Sequence, residues 1–365
     1  MGKRRARTLL GCLLAVGAAL VGSVGLAQAP GLVQPDATPV NDGPNPYQVI
    51  PNWAELKEKR PWGGSNGVAV APDGTIWATD RCSSGSTPGC LNSTGNPIHH
   101  FDASGKEIIS FGAGLFVWPH GIFVDKDGNV WVADSREPTT EERAASASAA
   151  RKGSAVMKFS PEGKLLLTLG TPGVKGDPPG ALTEPTAVIT DPTNGDVYVA
   201  ESHTDVTDPK LVGRVSVFDK TGKFLRAIGR AGTGPGEFRT PHALAFDSQG
   251  RLVVADRHNH RIQILTKSGQ YVSECHAFGR TSGLVLDAYD NVYTTDSEST
   301  AKVHPGWLRG LRIGSLKDCK VAAFIPAHPA PTPEGAMGEG IARDAKGNLY
   351  TAEANLMGVW KYVPK

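Results

Sequence analysis

The chain has 365 residues, with 38 Lys and Arg against 36 Asp and Glu and a formal charge of +2. That length allows a large core in one or two domains. The near balance of charge leaves no basic field of the kind that binds nucleic acid or anionic lipid.

Residues 1–29 read MGKRRARTLLGCLLAVGAALVGSVGLAQA. Four basic residues precede a long apolar run, and small residues follow it. This is the layout of a secretory signal peptide cut near Ala27 or Ala29; the other reading is an N-terminal membrane anchor. Arg4 and Arg5 would suit a twin-arginine exporter, but the rest of that signature is poor. Cys12 lies inside the apolar run rather than after it, a poor place for lipid attachment. Cleavage removes four bases and no acid, leaving 34 bases against 36 acids. The protein is expected to be secreted or periplasmic, without a membrane span once processed, and monomeric. Residues 30–61 are Pro-rich and polar and read as a segment outside the main domain, with YQVIPNW able to dock on it.

From residue 62 to the end, six segments repeat. They begin SNGVAV at Ser65, PHGIFV at Pro119, PTAVIT at Pro185, PHALAF at Pro241, TSGLVL at Thr281 and GEGIAR at Gly338. Each alternates apolar residues at period two, turns through a Gly- or Asn-containing stretch such as DKDGN, and continues as a second β-rich strand. Further strands recur between the copies, about four per unit. Four-stranded units at this spacing are blades of a propeller. The expected fold is all-β: a six-bladed β-propeller of four-stranded antiparallel blades over residues 62–365. One helical candidate, TTEERAASASAARKG, interrupts the second unit. Thr139 is its predicted cap and Glu142 completes a capping box, which makes it a surface excursion or lid.

Four cysteines follow the leader: Cys82, Cys90, Cys275 and Cys319. An even count in an exported chain predicts two disulfides. Cys82 and Cys90 would close a short loop, which leaves Cys275 with Cys319, although four cysteines allow three connectivities. No spacing among them matches a zinc ribbon.

In a propeller the starts of the innermost strands form a ring about the axis. The six residues there are Asn66, His120, Thr186, His242, Ser282 and Glu339. His120, His242 and Glu339 come from alternate repeats, so a three-fold rotation converges them on one point. Two imidazoles and a carboxylate suit zinc or another first-row divalent metal; polar plugging of the tunnel is the alternative. A second column, Asp80, Asp134, Glu201, Asp256, Asp296 and Glu353, ends the second strands. It reads as structural, with carboxylates accepting backbone N–H bonds at the turns. Chemistry is expected just past it, where Arg81, Ser135, Arg136, Ser202, His203, Arg257 and Ser297 lie on loops.

The stretches WPHGIFVDKDGNVWVAD, EPTAVITDPTNGDVYVAES and GEFRTPHALAFDSQGRLVVADRHNHRIQI resemble the NHL-repeat propellers. More narrowly they are similar to peptidyl-α-hydroxyglycine α-amidating lyase, the second catalytic domain of the peptide-amidating enzyme. The resemblance covers residues 62–363. It implies a zinc ion held by three histidines from alternate blades; His120 and His242 match two, and Glu339 stands where the third would be. It implies a calcium-holding acid where this chain has Gly340, which puts calcium in doubt. The family's catalytic tyrosine corresponds to His203, which could serve as a general base. Arg81 is the nearest match to an arginine that would hold the substrate carboxylate. The implied reaction is metal-assisted cleavage of a hydroxyglycine C–N bond, releasing an amide and a glyoxylate-type aldehyde. Two other functions fit the same fold. One is a non-catalytic propeller binding a peptide, glycan or protein on its loop face. The other is a calcium-dependent lactonase using Glu339 and Asn66, which would leave both histidines without a role. No phosphate loop, nucleophile elbow, haem motif or dinucleotide fingerprint is present.

Overall fold

The computed structural model describes Gly2 and residues 37–83, 89–203 and 211–365. Apart from Gly2, the segment read as a leader, with Cys12 and the expected cleavage site, lies outside the described residues. Six antiparallel four-stranded sheets follow in chain order, which is the propeller that the repeats predict. Blade 1 runs from Val68 to Phe111, blade 2 from Pro119 to Leu169 and blade 3 from Pro185 to Ile228. Blade 4 spans Pro241 to Cys275 and blade 5 Thr281 to Pro326.

Blade 6 differs in one respect. Strands Gly340–Arg343, Leu349–Ala352 and Val359–Pro364 come from the C-terminus, and its outermost strand is Tyr47–Ile50. Tyr47 pairs with Pro364 and Ile50 with Lys361. The propeller therefore begins upstream of the expected boundary at residue 62. The segment read as an outside tail supplies the strand that closes the ring. The Tyr47 hydroxyl, in addition, donates to the Gly347 carbonyl at 3.1 Å.

The hairpin turns show why these sequences fold locally. Asp125 accepts from the backbone N–H groups of Asp127 and Asn129 and from the indole of Trp131. Gly128 takes a φ of +83° that a side chain would resist. Asp191, Asp247, Asp287 and Asp344 open equivalent turns. The strands are apolar on both faces because each blade is covered by two neighbours. Trp131, Val156 and Leu169 of blade 2, for example, pack with Val188, Val197 and Phe218 of blade 3.

The insertion in blade 2 is a short helix, Thr140–Ala145, with the Thr139 and Glu142 capping box in place. Glu142 also binds Arg136 at 2.7 Å, so that arginine is turned to the insertion. The disulfides are Cys82–Cys90 and Cys275–Cys319, and two of them suit an oxidising compartment. Among the described residues no helix is long and apolar enough to cross a membrane.

Candidate metal centre

The acidic column positions the ring. All six carboxylates are fully buried. Asp134 accepts from the backbone N–H groups of Val117 and Trp118, just before the inner strand that begins blade 2. Asp80, Glu201, Asp256 and Asp296 do the same for Gly63, Thr183, Arg239 and Arg280. A buried N–H without a partner is costly, so these bonds fix where each inner strand starts. Burial pushes Asp134 and Asp256 up to about 6 and Glu353 up to about 7. The column is structural, as its completeness in the sequence implied.

The inner strands then meet backbone to backbone. A Cβ on Gly67 would stand 2.4 Å from the His120 carbonyl oxygen, and one on Gly121 2.4 Å from that of Thr186. Gly283 faces Glu339 and Gly340 faces Asn66 at the same 2.4 Å. The Gly340 position therefore has no room for an acid, and the calcium-holding residue of the resemblance cannot exist there.

This contact lets each ring histidine bond the next blade. His120 Nδ1 lies 2.8 Å from the Thr186 oxygen, and His242 Nδ1 lies 2.6 Å from the Ser282 oxygen. A carbonyl accepts only, so Nδ1 carries the proton and Nε2 keeps its lone pair. Both Nε2 atoms point to the axis. Glu339 Oε2 is 3.5 Å from that of His120 and 3.8 Å from that of His242. The three alternate ring residues do converge.

His203 joins them. Its ring centroid is 5.0 Å from that of His120 and 5.6 Å from that of His242. One ligand atom from each of His120, His203, His242 and Glu339 can be chosen so that all lie within 4.8 Å of one another. His203 belongs to the cluster itself, although it stands on the loop after blade 3's second strand. Arg81 covers it from blade 1, stacked 3.8 Å above the Trp118 ring, with Nη2 3.8 Å from Glu339 Oε2. Arg257, 2% exposed, enters from blade 4 and pairs with Glu298 at 3.3 Å. Asn66 Nδ2 donates to Glu339 Oε2. The ring column alone does not reveal Trp118; its place beside the Pro119 strand start is the only sequence signal.

Burial drives the His120, His203 and His242 imidazoles below their ordinary range. The other histidines and Arg257 add to the effect at His203 and His242. All three are therefore neutral, the form that ligates. Burial would raise Glu339, but His120, Arg81 and His242 outweigh it and hold its carboxyl well below the usual range. Burial lowers Arg81 to about 10, which leaves it charged at neutral pH.

Polar atoms without a hydrogen-bond partner are concentrated here. They include Nε2 of His120, His203 and His242, Nε and Nη2 of Arg81, and Nε of Arg257. Buried polar groups are nearly always paired, so this concentration marks a place built for a ligand. Three imidazoles and one carboxylate fit zinc or a similar first-row ion and do not fit calcium, which takes oxygen ligands. Two residues further along the inner strands the lining turns aliphatic: Val68, Ile122, Val188, Leu244, Leu284 and Ile341. They belong to an axial cavity of 530 Å³. The centre thus has an apolar floor and a polar roof carrying Arg81 and Arg257.

A family model described as "NHL repeat" matches residues 238–265. The chain carries an NHL repeat on a six-bladed propeller. It is 30% identical over 276 residues to peptidyl-glycine α-amidating monooxygenase B of Xenopus laevis, a match covering 71% of this chain and 28% of that protein. It is 30% identical over 161 residues to a probable peptidyl-α-hydroxyglycine α-amidating lyase of Caenorhabditis elegans, covering 43% of this chain and 39% of that one. The chain therefore spans well under half the length of either relative. A gluconolactonase from Xanthomonas campestris shares the fold, with a TM-score of 0.57 at 13% identity, over 87% of this chain and 90% of that one.

Proposed function

We propose that this NHL propeller is an exported, metal-dependent lyase of the peptidyl-α-hydroxyglycine type. The observation that carries the reading is the convergence of His120, His203, His242 and Glu339 below two buried arginines. Support comes from the similarity to amidating enzymes. The substrate class is an N-acylated α-hydroxyglycine, a peptide or a smaller amide, approaching from the loop face.

Residues of the cluster hold a divalent ion, zinc being the best match to the donor set, and one residue takes the hydroxyl proton. A bound ion would polarise the hydroxyl oxygen and ease its deprotonation. Arg81, fixed by Trp118 and by the Cys82–Cys90 bridge beside it, pairs with the substrate carboxylate. Arg257 adds a second positive charge at the same roof. The bonds balance without any co-reactant. The O–H proton passes to the base, the C–O bond becomes C=O, and the C–N electron pair leaves with nitrogen. Nitrogen then recovers the proton, giving an amide and glyoxylate.

The test is release of glyoxylate and benzamide from α-hydroxyhippurate by the purified protein loaded with zinc. Turnover should cease with a chelator and return with metal. Arg81→Ala should raise KM by at least about tenfold, as loss of a charge-assisted hydrogen bond does, while leaving metal content unchanged. Metal-loaded protein that releases no glyoxylate would refute the lyase reading.

A further inference from the structure

We infer that His203 is a metal ligand, completing a three-imidazole shell with His120 and His242, and that Glu339 is the proton acceptor. This rests on the metal-dependent lyase reading and reverses the division of roles expected from the sequence.

The pattern of used and unused atoms supports it. A ligand atom should have its lone pair free and aimed at a shared point. Nε2 of His120, His203 and His242 all lack a hydrogen-bond partner. The three ring centroids form a near-regular triangle with sides of 4.8, 5.0 and 5.6 Å. Glu339 does not share this state. Its Oε2 already accepts from Asn66, and Arg81 Nη2 lies 3.8 Å away. A cation would compete with the Asn66 amide for that oxygen.

The backbone holds His203 in place. The preceding Ser202 has a φ of +143°, a value rarely taken by a residue with a side chain. The His203 N–H donates to Glu184 at 3.0 Å, and its ring meets the Trp118 ring edge-on at 5.0 Å. A strained loop residue kept in place by such contacts is a mark of function. It directs an imidazole inward from blade 3.

Glu339 is suited to the other task. Its Oε2 lies 3.5 Å and 3.8 Å from two of the three Nε2 atoms. A hydroxyl brought in beside those nitrogens would meet the Glu339 carboxylate, and such proximity is the first requirement of a base. Asn66 and Arg81 fix the carboxylate there. The hydroxyl proton goes to Glu339 as the C–N pair departs, and Glu339 returns it to nitrogen. The third imidazole has thus moved from blade 6 to blade 3, and the proton acceptor from blade 3 to blade 6.

The test is substitution with Co(II) in the full-length protein, counting exchangeable imidazole N–H resonances shifted by the paramagnetic ion. Wild type should show three. His203→Gln should show two and bind Co(II) more than about 100-fold more weakly, beyond the 10–100-fold typical of losing an outer partner. Glu339→Gln should keep three resonances and one equivalent of metal, while turnover falls by about 10²- to 10⁴-fold. Two resonances in wild type, unchanged in His203→Gln and disturbed in Glu339→Gln, would overturn the assignment while leaving a metal enzyme. Wild-type protein that takes up no Co(II) or zinc would overturn the metal reading itself. Thermal melts of each variant separate ligand loss from misfolding.

Discussion

His242 Nδ1 lies 2.6 Å from the Ser282 carbonyl oxygen on the neighbouring blade. His120 stands in the same relation to Thr186 at 2.8 Å. The orientation of each imidazole therefore depends on how closely two blades approach. Gly121 maintains that approach, since a Cβ there would lie 2.4 Å from the Thr186 oxygen. Gly121→Ala should part blades 2 and 3, cost roughly 1–3 kcal/mol, and weaken metal binding. Gly180→Ala, where no heavy atom lies within 4 Å, should do neither. Urea melts and chelator competition on both variants check this.

The Cys82–Cys90 bridge closes a short loop next to Arg81. Replacing both cysteines with serine should cost about 2–3 kcal/mol by the chain-entropy relation and raise KM more than it lowers kcat. Metal content should stay at the wild-type level. Loss of metal in this variant would show that the loop supports the centre as well as the arginine.

His328 offers a pH test away from the centre. Burial lowers it to about 4, and its Nε2 lies 2.6 Å from the Tyr362 hydroxyl. A lowered histidine is harder to protonate in the fold than in the unfolded chain. Its neutral-state contribution is thus complete above pH 6.5 and is lost as pH falls toward 4. The stability difference between wild type and His328→Gln should be flat above pH 6.5 and shift in the variant's favour below it. Asp134 and Asp256, raised to about 6, act in the opposite sense. Their contribution is present below pH 4 and declines as pH rises through 6, so only the difference between variants isolates His328. Denaturant midpoints across pH 4–8 provide the measurement.

Removing residues up to 52 should uncover the edge of blade 6. The main-chain bonds to Val359–Pro364 and the burial of Tyr47 are lost together, a cost of roughly 4 kcal/mol. The bare strand edge should also promote aggregation. Calorimetry and light scattering on the truncated chain test both effects.

Repetition made most of the architecture readable. Six copies of one hairpin identify the blades, and reading down a column identifies His120, His242 and Glu339 without any structure. The same holds for the acidic column and the Thr139 cap, because each depends on local spacing. The strand Tyr47–Ile50 was not readable as one, since it is four residues long with only Tyr47 buried and its partner lies at the other end of the chain. His203 was noticed but separated from the ligands, because it stands outside the ring column and only the turn of the loop brings it in. His258 and His260, which follow Arg257 on the loop of blade 4, are partly buried; His258 Nδ1 lies 2.6 Å from the Thr240 hydroxyl.

The pairing of Tyr47 with Pro364 has a further consequence for assembly. The circle closes by pairing two strands far further apart in sequence than any neighbours within blades 1–5. Contacts of that kind form slowly. Glu339 stands at the start of blade 6's inner strand, so its carboxylate meets the histidines of the cluster only when that blade docks. On the proposed function, the catalytic centre is thus incomplete until the ring closes.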